Sequence, residues 1–281
     1  MFCQDGRDPR EGRSYFEYYL EAMKDTLSIT LVQSHLHWEN AAANLNMFSE
    51  KLEAISDETD LILLPEMFST GFSMNAAQLA EPMDGPSVQW MVDTAKQQNT
   101  ALAGSLIISE NEGFYNRLFF VFPDGTFKTY DKRHTFTLAG EHEIYNSGNE
   151  QVIIDYLGWK IFPLVCYDLR FPVWARNTMG YDLLLYLANW PKKRIQAWDA
   201  LLKARAIENM SYCAGVNRVG LDGNGHEYTG HSAVYDVLGE QVSTKDFERG
   251  FAETVVLTKA HIEKNRRHLR FLDDRDAFSL G

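Results

Sequence analysis

Three side chains stand where expected strands stop. Glu66 follows Leu61–Leu64 and Pro65, Lys132 follows a run ending in Tyr130-Asp131, and Cys166 closes the run Phe162–Val165. In α/β folds the loops at the carboxyl ends of strands converge, so such positions are where reactive groups collect. Singly, each has an ordinary explanation. A loop glutamate or lysine is usually solvated, and a cysteine closing an apolar strand is usually core. Together they offer a thiol, a carboxylate and an ammonium. A free cysteine has a pKa of about 8.5 and attacks only as the thiolate, so the carboxylate would take its proton. The ammonium would hold the charge that develops on a substrate oxygen. Amide hydrolysis through a thioester needs this set. A turn beginning just beyond Cys166 would add backbone N–H donors, that of Tyr167 among them.

These groups need strands and helices to hold them. Thr26–Gln33 reads as a first strand, and Trp38, Ala41, Leu45, Phe48, Leu52 and Ile55 recur as one helical face. Leu61–Leu64 is a short buried strand and Val88–Gln98 a helix. Ala101–Ser109 and Phe114–Phe122 read as paired strands, followed by the turn Pro123-Asp124-Gly125-Thr126 and a short strand to Tyr130. Gln151–Asp155 and Trp159–Val165 form a second pair across Gly158. Phe171–Met179 has helical character with Pro172 in its first turn. Asp182–Ala188 is a strand and Ile195–Met210 a helix with Ile195, Trp198, Leu202 and Ile207 inward. Tyr212–Asn217, His231–Tyr235 and Phe251–Leu257 are later strands, and Lys259–Arg267 is a polar helix. With no repeat and no linker, residues 26–281 are expected to form one α/β domain behind an N-terminal extension, residues 1–25.

Bulk properties narrow the class. The 281 residues are 45% hydrophobic and 23% charged, ordinary for a globular chain. A formal net charge of −12 argues against a nucleic-acid partner, which needs a basic face. Three cysteines, Cys3, Cys166 and Cys213, are no disulfide framework and fit a reducing, cytoplasmic compartment. No apolar run approaches the roughly 18 residues of a membrane span. The first residues carry no apolar signal-peptide core, and Met23 is a candidate start of the folded unit. Cys213 is expected in the core and Cys3 to be without a role.

The segments LLPEMFSTGF, TYDKRHTF and VCYDLRFP resemble the Glu-Lys-Cys signature of the nitrilase superfamily of carbon–nitrogen hydrolases. The likeness continues through LLLYLANWPKKR, ALLKARAIENMSYCAGVNRVGLDGNG and YTGHSAVYDVLGE, covering about Thr26 to Leu257. PEMFSTGF, YDKRHTFTLAGEHE and CYDLRFPVWARN look like its omega-amidase branch. The resemblance implies an α-β-β-α sandwich that becomes αββα-αββα in a homodimer. It implies Glu66 as general base, Lys132 as oxyanion stabiliser with the Tyr167 N–H, and Cys166 as nucleophile, without metal or organic cofactor. It also implies a second glutamate after the lysine. Spacing to Gly148 favours Glu141, with Glu143 as the alternative. The implied substrates are the ω-amides 2-oxoglutaramate and 2-oxosuccinamate, whose far carboxylate wants a cation. Arg194 is the first candidate, with Lys193 and Arg133 as others. Phe72, Asn189, Trp190 and Tyr228 are candidate pocket walls. Subunit contacts are expected at Phe171–Met179 and Ile195–Met210, with the acidic stretch Asp273-Asp274-Arg275-Asp276 a solvated tail.

Other readings exist. A nitrile, an N-carbamoyl compound or another small amide could be the substrate of the same triad, and an idle scaffold is a further alternative. His35-Leu36-His37 has the His-x-His look of a metal-dependent amidohydrolase, but further ligands are not evident from spacing.

Overall fold

A computed structural model describes residues 23–245 and 247–280. Most of the N-terminal extension, Cys3 included, lies outside the described residues. Of its end, Lys24 donates its N–H to the Leu157 carbonyl at 3.0 Å.

Two sheets carry the architecture. The first comprises β1 (Thr26–Gln33), β2 (Leu61–Leu63), β3 (Ala101–Glu110), β4 (Gly113–Val121), β5 (Phe127–Asp131) and β13 (Phe251–Thr258), in the order β13-β1-β2-β3-β4-β5. The second comprises β6 (Ile154–Tyr156), β7 (Trp159–Val165), β8 (Leu183–Leu187), β9 (Tyr212–Val216) and β12 (Ala233–Tyr235), in the order β12-β9-β8-β7-β6. β10 (Val219–Leu221) and β11 (Glu227–Thr229) pair apart as a ribbon. The longer helices are α1 (Ala41–Glu53), α2 (Pro86–Gln98), α3 (Ile195–Asn209) and α4 (Lys259–Leu269).

Side-chain alternation assigns the layers. In the first sheet Leu27, Ile29, Leu31, Leu61, Leu63, Leu118 and Phe120 share a core with Phe162, Leu164 and Leu184 of the second. The alternate residues Ile62, Leu102, Phe119 and Val121 pack instead with Phe48 and Leu52 of α1 and Val88 and Met91 of α2. On the second sheet, Trp198, Leu202 and Ala206 of α3 complete the first core. The result is an α-β-β-α sandwich, as the sequence implies. β1-β2-β3 and β7-β8-β9 are parallel runs, so their carboxyl ends open toward the same loops.

Some expectations need correction. Phe171–Met179 is helical only over Pro172–Ala175. The Asn177 side chain captures the chain beyond: its amide oxygen accepts the Tyr181 N–H at 3.0 Å, and its Nδ2 donates to the carbonyls of Tyr181 and Asn209. Such local side-chain bonds compete with helix continuation. Ile207 is 41% exposed rather than inward. The buried stripe of α3 runs through Arg205 and Asn209, polar residues with hydrogen-bond partners of their own. Trp38 precedes α1, whose N-cap Asn40 accepts the Ala43 N–H at 3.1 Å. The expected strand Gln151–Asp155 shrinks to β6, joined to β7 through Leu157 and Gly158, both at positive φ as a tight hairpin requires. His231, at φ 60, stands outside β12. Cys213 is fully buried in β9.

Candidate active site

The residues following β2, β5, β7 and β8 meet at one place. Glu66, Lys132 and Glu141 are shut from solvent, at 0%, 1% and 0% exposure. The Lys132 Nζ donates to Glu66 Oε1 at 2.9 Å and to the two Glu141 oxygens at 2.9 and 2.8 Å. Burial works against this ammonium, but the carboxylates of Glu141 and Glu66 outweigh it and hold it above the ordinary lysine value. Burial raises the Glu141 carboxyl, with Lys132 pulling the other way.

Position separates the two candidates for the second glutamate. Glu141 opens the short helix Glu141–Ile144, faces inward, and accepts the Phe136 N–H as well as Lys132. Glu143 points to solvent. Gly148 returns the chain to the end of β5: its N–H meets the Lys132 carbonyl at 3.0 Å, and a Cβ there would lie 2.2 Å from the Asp131 carbonyl oxygen.

Cys166 follows β7 at φ 43, a left-handed conformation rare for a residue with a side chain. A tight turn, Cys166–Arg170, begins there, and the Tyr167 N–H is among the first of that turn, which lack partners within it. Asp168 holds the bend. Its Oδ2 accepts the Val165 N–H at 3.1 Å and the Tyr130 hydroxyl at 2.9 Å, and its Oδ1 accepts the His134 N–H at 2.9 Å. Burial pushes the Cys166 thiol well up, the Glu66 charge adds to this, and Lys132 opposes it. Burial and the neighbouring carboxylate thus favour the protonated thiol, an arrangement suited to proton transfer at the moment of attack.

Cys166 and Lys132 open on a cavity of about 460 Å³, the size of a small-ligand site. Phe72, Tyr167, Asn189, Trp190, Arg194 and Tyr228 all line it. Glu66 and Glu141 lie behind that wall. Asn189 does more than line it: its N–H donates to Glu66 Oε2 at 2.8 Å and its side-chain amide to the Glu66 carbonyl. The Lys132 ammonium stands 5.1 Å from the Phe72 ring centre. Tyr228 donates its hydroxyl to Asp222 at 2.9 Å.

Besides Lys132, two cations face the cavity, Arg194 beside Phe136 and Arg170 over Trp190. Neither has an ion-pair partner among the described residues. Lys193 and Arg133 do not reach the cavity wall, and Arg133 is spent on the Gly148 carbonyl and the Trp174 ring. The sequence reading missed Arg170, Asp168 and Asn116. Asn116, on β4, donates to Glu66 Oε1 at 2.8 Å and to Glu141 Oε1 at 3.3 Å. Its signal was a polar residue on the strand face that carries Leu118 and Phe120. The His35 and His37 rings lie 6.2 Å apart, and among the described residues no three His, Cys, Asp or Glu side chains form a metal-ligand group.

The profile of the carbon–nitrogen hydrolase family matches residues 28–260. Omega-amidase YafV of Escherichia coli K12 is 47% identical over 254 residues, covering 90% of this chain and 98% of that protein. The 2-oxoglutaramate amidase of Bacillus subtilis is 33% identical, covering 82% of this chain and 90% of its own length. In structure, XC1258 of Xanthomonas campestris, a CN-hydrolase superfamily protein solved with an arsenic adduct in its active site, superposes with a TM-score of 0.89 at 41% identity. That match covers 92% of this chain and all of the other.

Proposed function

The chain belongs to the carbon–nitrogen hydrolase family, and from that premise we propose that it is an omega-amidase: it releases ammonia from the ω-amides of 2-oxo dicarboxylic acids, 2-oxoglutaramate and 2-oxosuccinamate. The observation that carries this reading is the buried Glu66–Lys132–Glu141 array set behind Cys166 in a cavity bearing two unpaired arginines. The names of the relatives in Escherichia coli and Bacillus subtilis support the same substrate class.

The substrate amide enters with its oxygen toward Lys132 Nζ and the Tyr167 N–H. Glu66 takes the Cys166 proton as sulfur attacks the carbonyl carbon. The carbonyl π pair moves onto oxygen, where the ammonium and the N–H hold it. Collapse breaks the C–N bond, Glu66 returns its proton to nitrogen, and ammonia leaves a thioester on Cys166. Glu66 then deprotonates a water, which attacks the thioester. The acid departs, and the sulfur recovers its proton. General acid–base help of this kind gives ~10²–10⁴-fold, and one oxyanion donor ~10²–10³-fold. Arg194, with Arg170, receives the far carboxylate, and Phe72, Trp190 and Tyr228 wall the carbon chain.

The chain acts as a homodimer through the face carrying Val173, Phe271 and Phe278, exposed apolar residues that line one groove. Sedimentation of wild type against Val173→Asp tests that assignment. No described helix is long and apolar enough to cross a membrane. The unpaired thiols Cys166 and Cys213 support a cytoplasmic location.

Ammonia release from 2-oxoglutaramate, beside a matched nitrile, an N-carbamoyl amino acid and glutamine, tests the substrate. Release from the oxo-amide is expected to exceed the others. Turnover of another substrate with silence on the oxo-amide would keep the chemistry and reject the pocket assignment.

A further inference from the structure

The reaction asks Glu66 to carry a proton on a particular oxygen. Its Oε1 faces donors from two sides: Lys132 Nζ at 2.9 Å and Asn116 Nδ2 at 2.8 Å. An ammonium and an amide NH2 can donate but not accept, so a proton on Oε1 would meet N–H groups head-on. Oε2 meets one donor, the Asn189 N–H at 2.8 Å, and keeps a lone pair. The Cys166 sulfur lies 3.9 Å from the Asn189 carbonyl oxygen.

We propose that Asn116 is a positioning residue that steers the proton carried by Glu66 onto Oε2. This rests on Glu66 acting as the base proposed above. Asn116 is buried on β4, and its own Oδ1 has no hydrogen-bond partner. An unsatisfied buried acceptor is costly, and an apolar side chain like neighbouring Leu118 would avoid that cost. The amide is retained for its two N–H bonds, which bridge the Glu66 and Glu141 side chains around a single ammonium. The charged and titratable groups that face Glu66 are Lys132, Glu141 and Cys166, with the Tyr145 hydroxyl held off on the Ser73 carbonyl and Glu39 bound to the Ser73 hydroxyl.

The test uses Asn116→Asp, which keeps the shape and removes the donors, and Asn116→Ser, which removes the amide. Alkylation of Cys166 by iodoacetamide is followed against pH, together with kcat and KM for amide turnover and the melting temperature. Loss of the donors leaves the charged form of the Glu66 side chain less well held. The acidic limb of alkylation is therefore expected to move up by about one pH unit. kcat is expected to fall ~10-fold or more while KM stays within ~2-fold, because Asn116 is off the cavity wall. An unmoved limb in both variants overturns the proposal, whether or not kcat falls with a lowered melting temperature. So does failure of both variants to fold, which would make Asn116 a packing residue. Alkylation needs no turnover, so a shifted limb with silence on the oxo-amide would keep this inference and reject the substrate.

Discussion

Lys132 and Glu141 form a two-pronged ion pair, with Nζ 2.9 and 2.8 Å from the two carboxylate oxygens, sealed from water on both sides. Breaking such a pair by removing one partner costs ~3–5 kcal/mol, because a buried charge is left uncompensated. Lys132→Ala should therefore lose turnover and also melt lower than wild type. It leaves the Glu141 carboxyl, already raised by burial, without the ammonium that opposes that rise. A raised carboxyl contributes stability that is present below its unfolded pKa and lost as pH rises through its folded pKa. Thermal melts from pH 4 to 8 should show the deficit of Lys132→Ala shrinking toward acid. A deficit constant across that range would contradict the pairing.

Burial and the Glu66 charge hold the Cys166 thiol well above its ordinary pKa. The free protein should thus show no thiolate at neutral pH. The difference in ultraviolet thiolate absorbance between wild type and Cys166→Ala should stay flat through neutrality and appear only in alkali. A thiolate signal at neutral pH would mean a preformed ion pair instead of proton transfer during attack.

Asp168 satisfies the Val165 and His134 N–H groups and the Tyr130 hydroxyl around the bend that sets Cys166 at positive φ. Asp168→Ala strands those buried donors, each worth ~1–3 kcal/mol when unmet. Its expected outcome is a clear loss of melting temperature with kcat reduced more than KM is raised. Asp168→Asn, which keeps one acceptor, should fall between it and wild type in chemical denaturation. Wild-type stability and kcat in Asp168→Ala would show that the bend holds itself.

A charge-assisted hydrogen bond to the far carboxylate is worth ~1.5–3 kcal/mol, or roughly 10- to 100-fold in binding. Arg194→Ala and Arg170→Ala should raise KM for 2-oxoglutaramate by that order and leave kcat closer to wild type. Toward a neutral amide lacking the carboxylate, both variants should match wild type. Equal losses on both substrates would assign the arginines to packing on Phe136 and Trp190.

Much of the site was legible because reactive side chains sat directly after apolar runs. Glu66, Lys132 and Cys166 follow strands of three, five and seven residues, and the turn chemistry beyond Cys166 was visible in Pro172. Asn116 and Asp168 act through buried hydrogen bonds to groups distant in sequence, 50 residues away for Asn116 and Glu66, so spacing could not expose them. Arg170 and Arg194 differ from Lys193 and Arg133 only in which wall they face, and that depends on how the loops after β7 and β8 fold back. The helix expected at Phe171–Met179 failed for a related reason: Asn177 diverts the backbone through contacts with Tyr181 and Asn209 that no local pattern records.

The most direct measurement is the mass of wild-type protein quenched in acid during turnover of 2-oxoglutaramate. The account predicts an adduct equal to the substrate less ammonia, mapped by peptide digestion to Cys166 and absent from Cys166→Ala. Turnover with no such adduct, an adduct on another residue, or ammonia release by Cys166→Ala at the wild-type rate would contradict it.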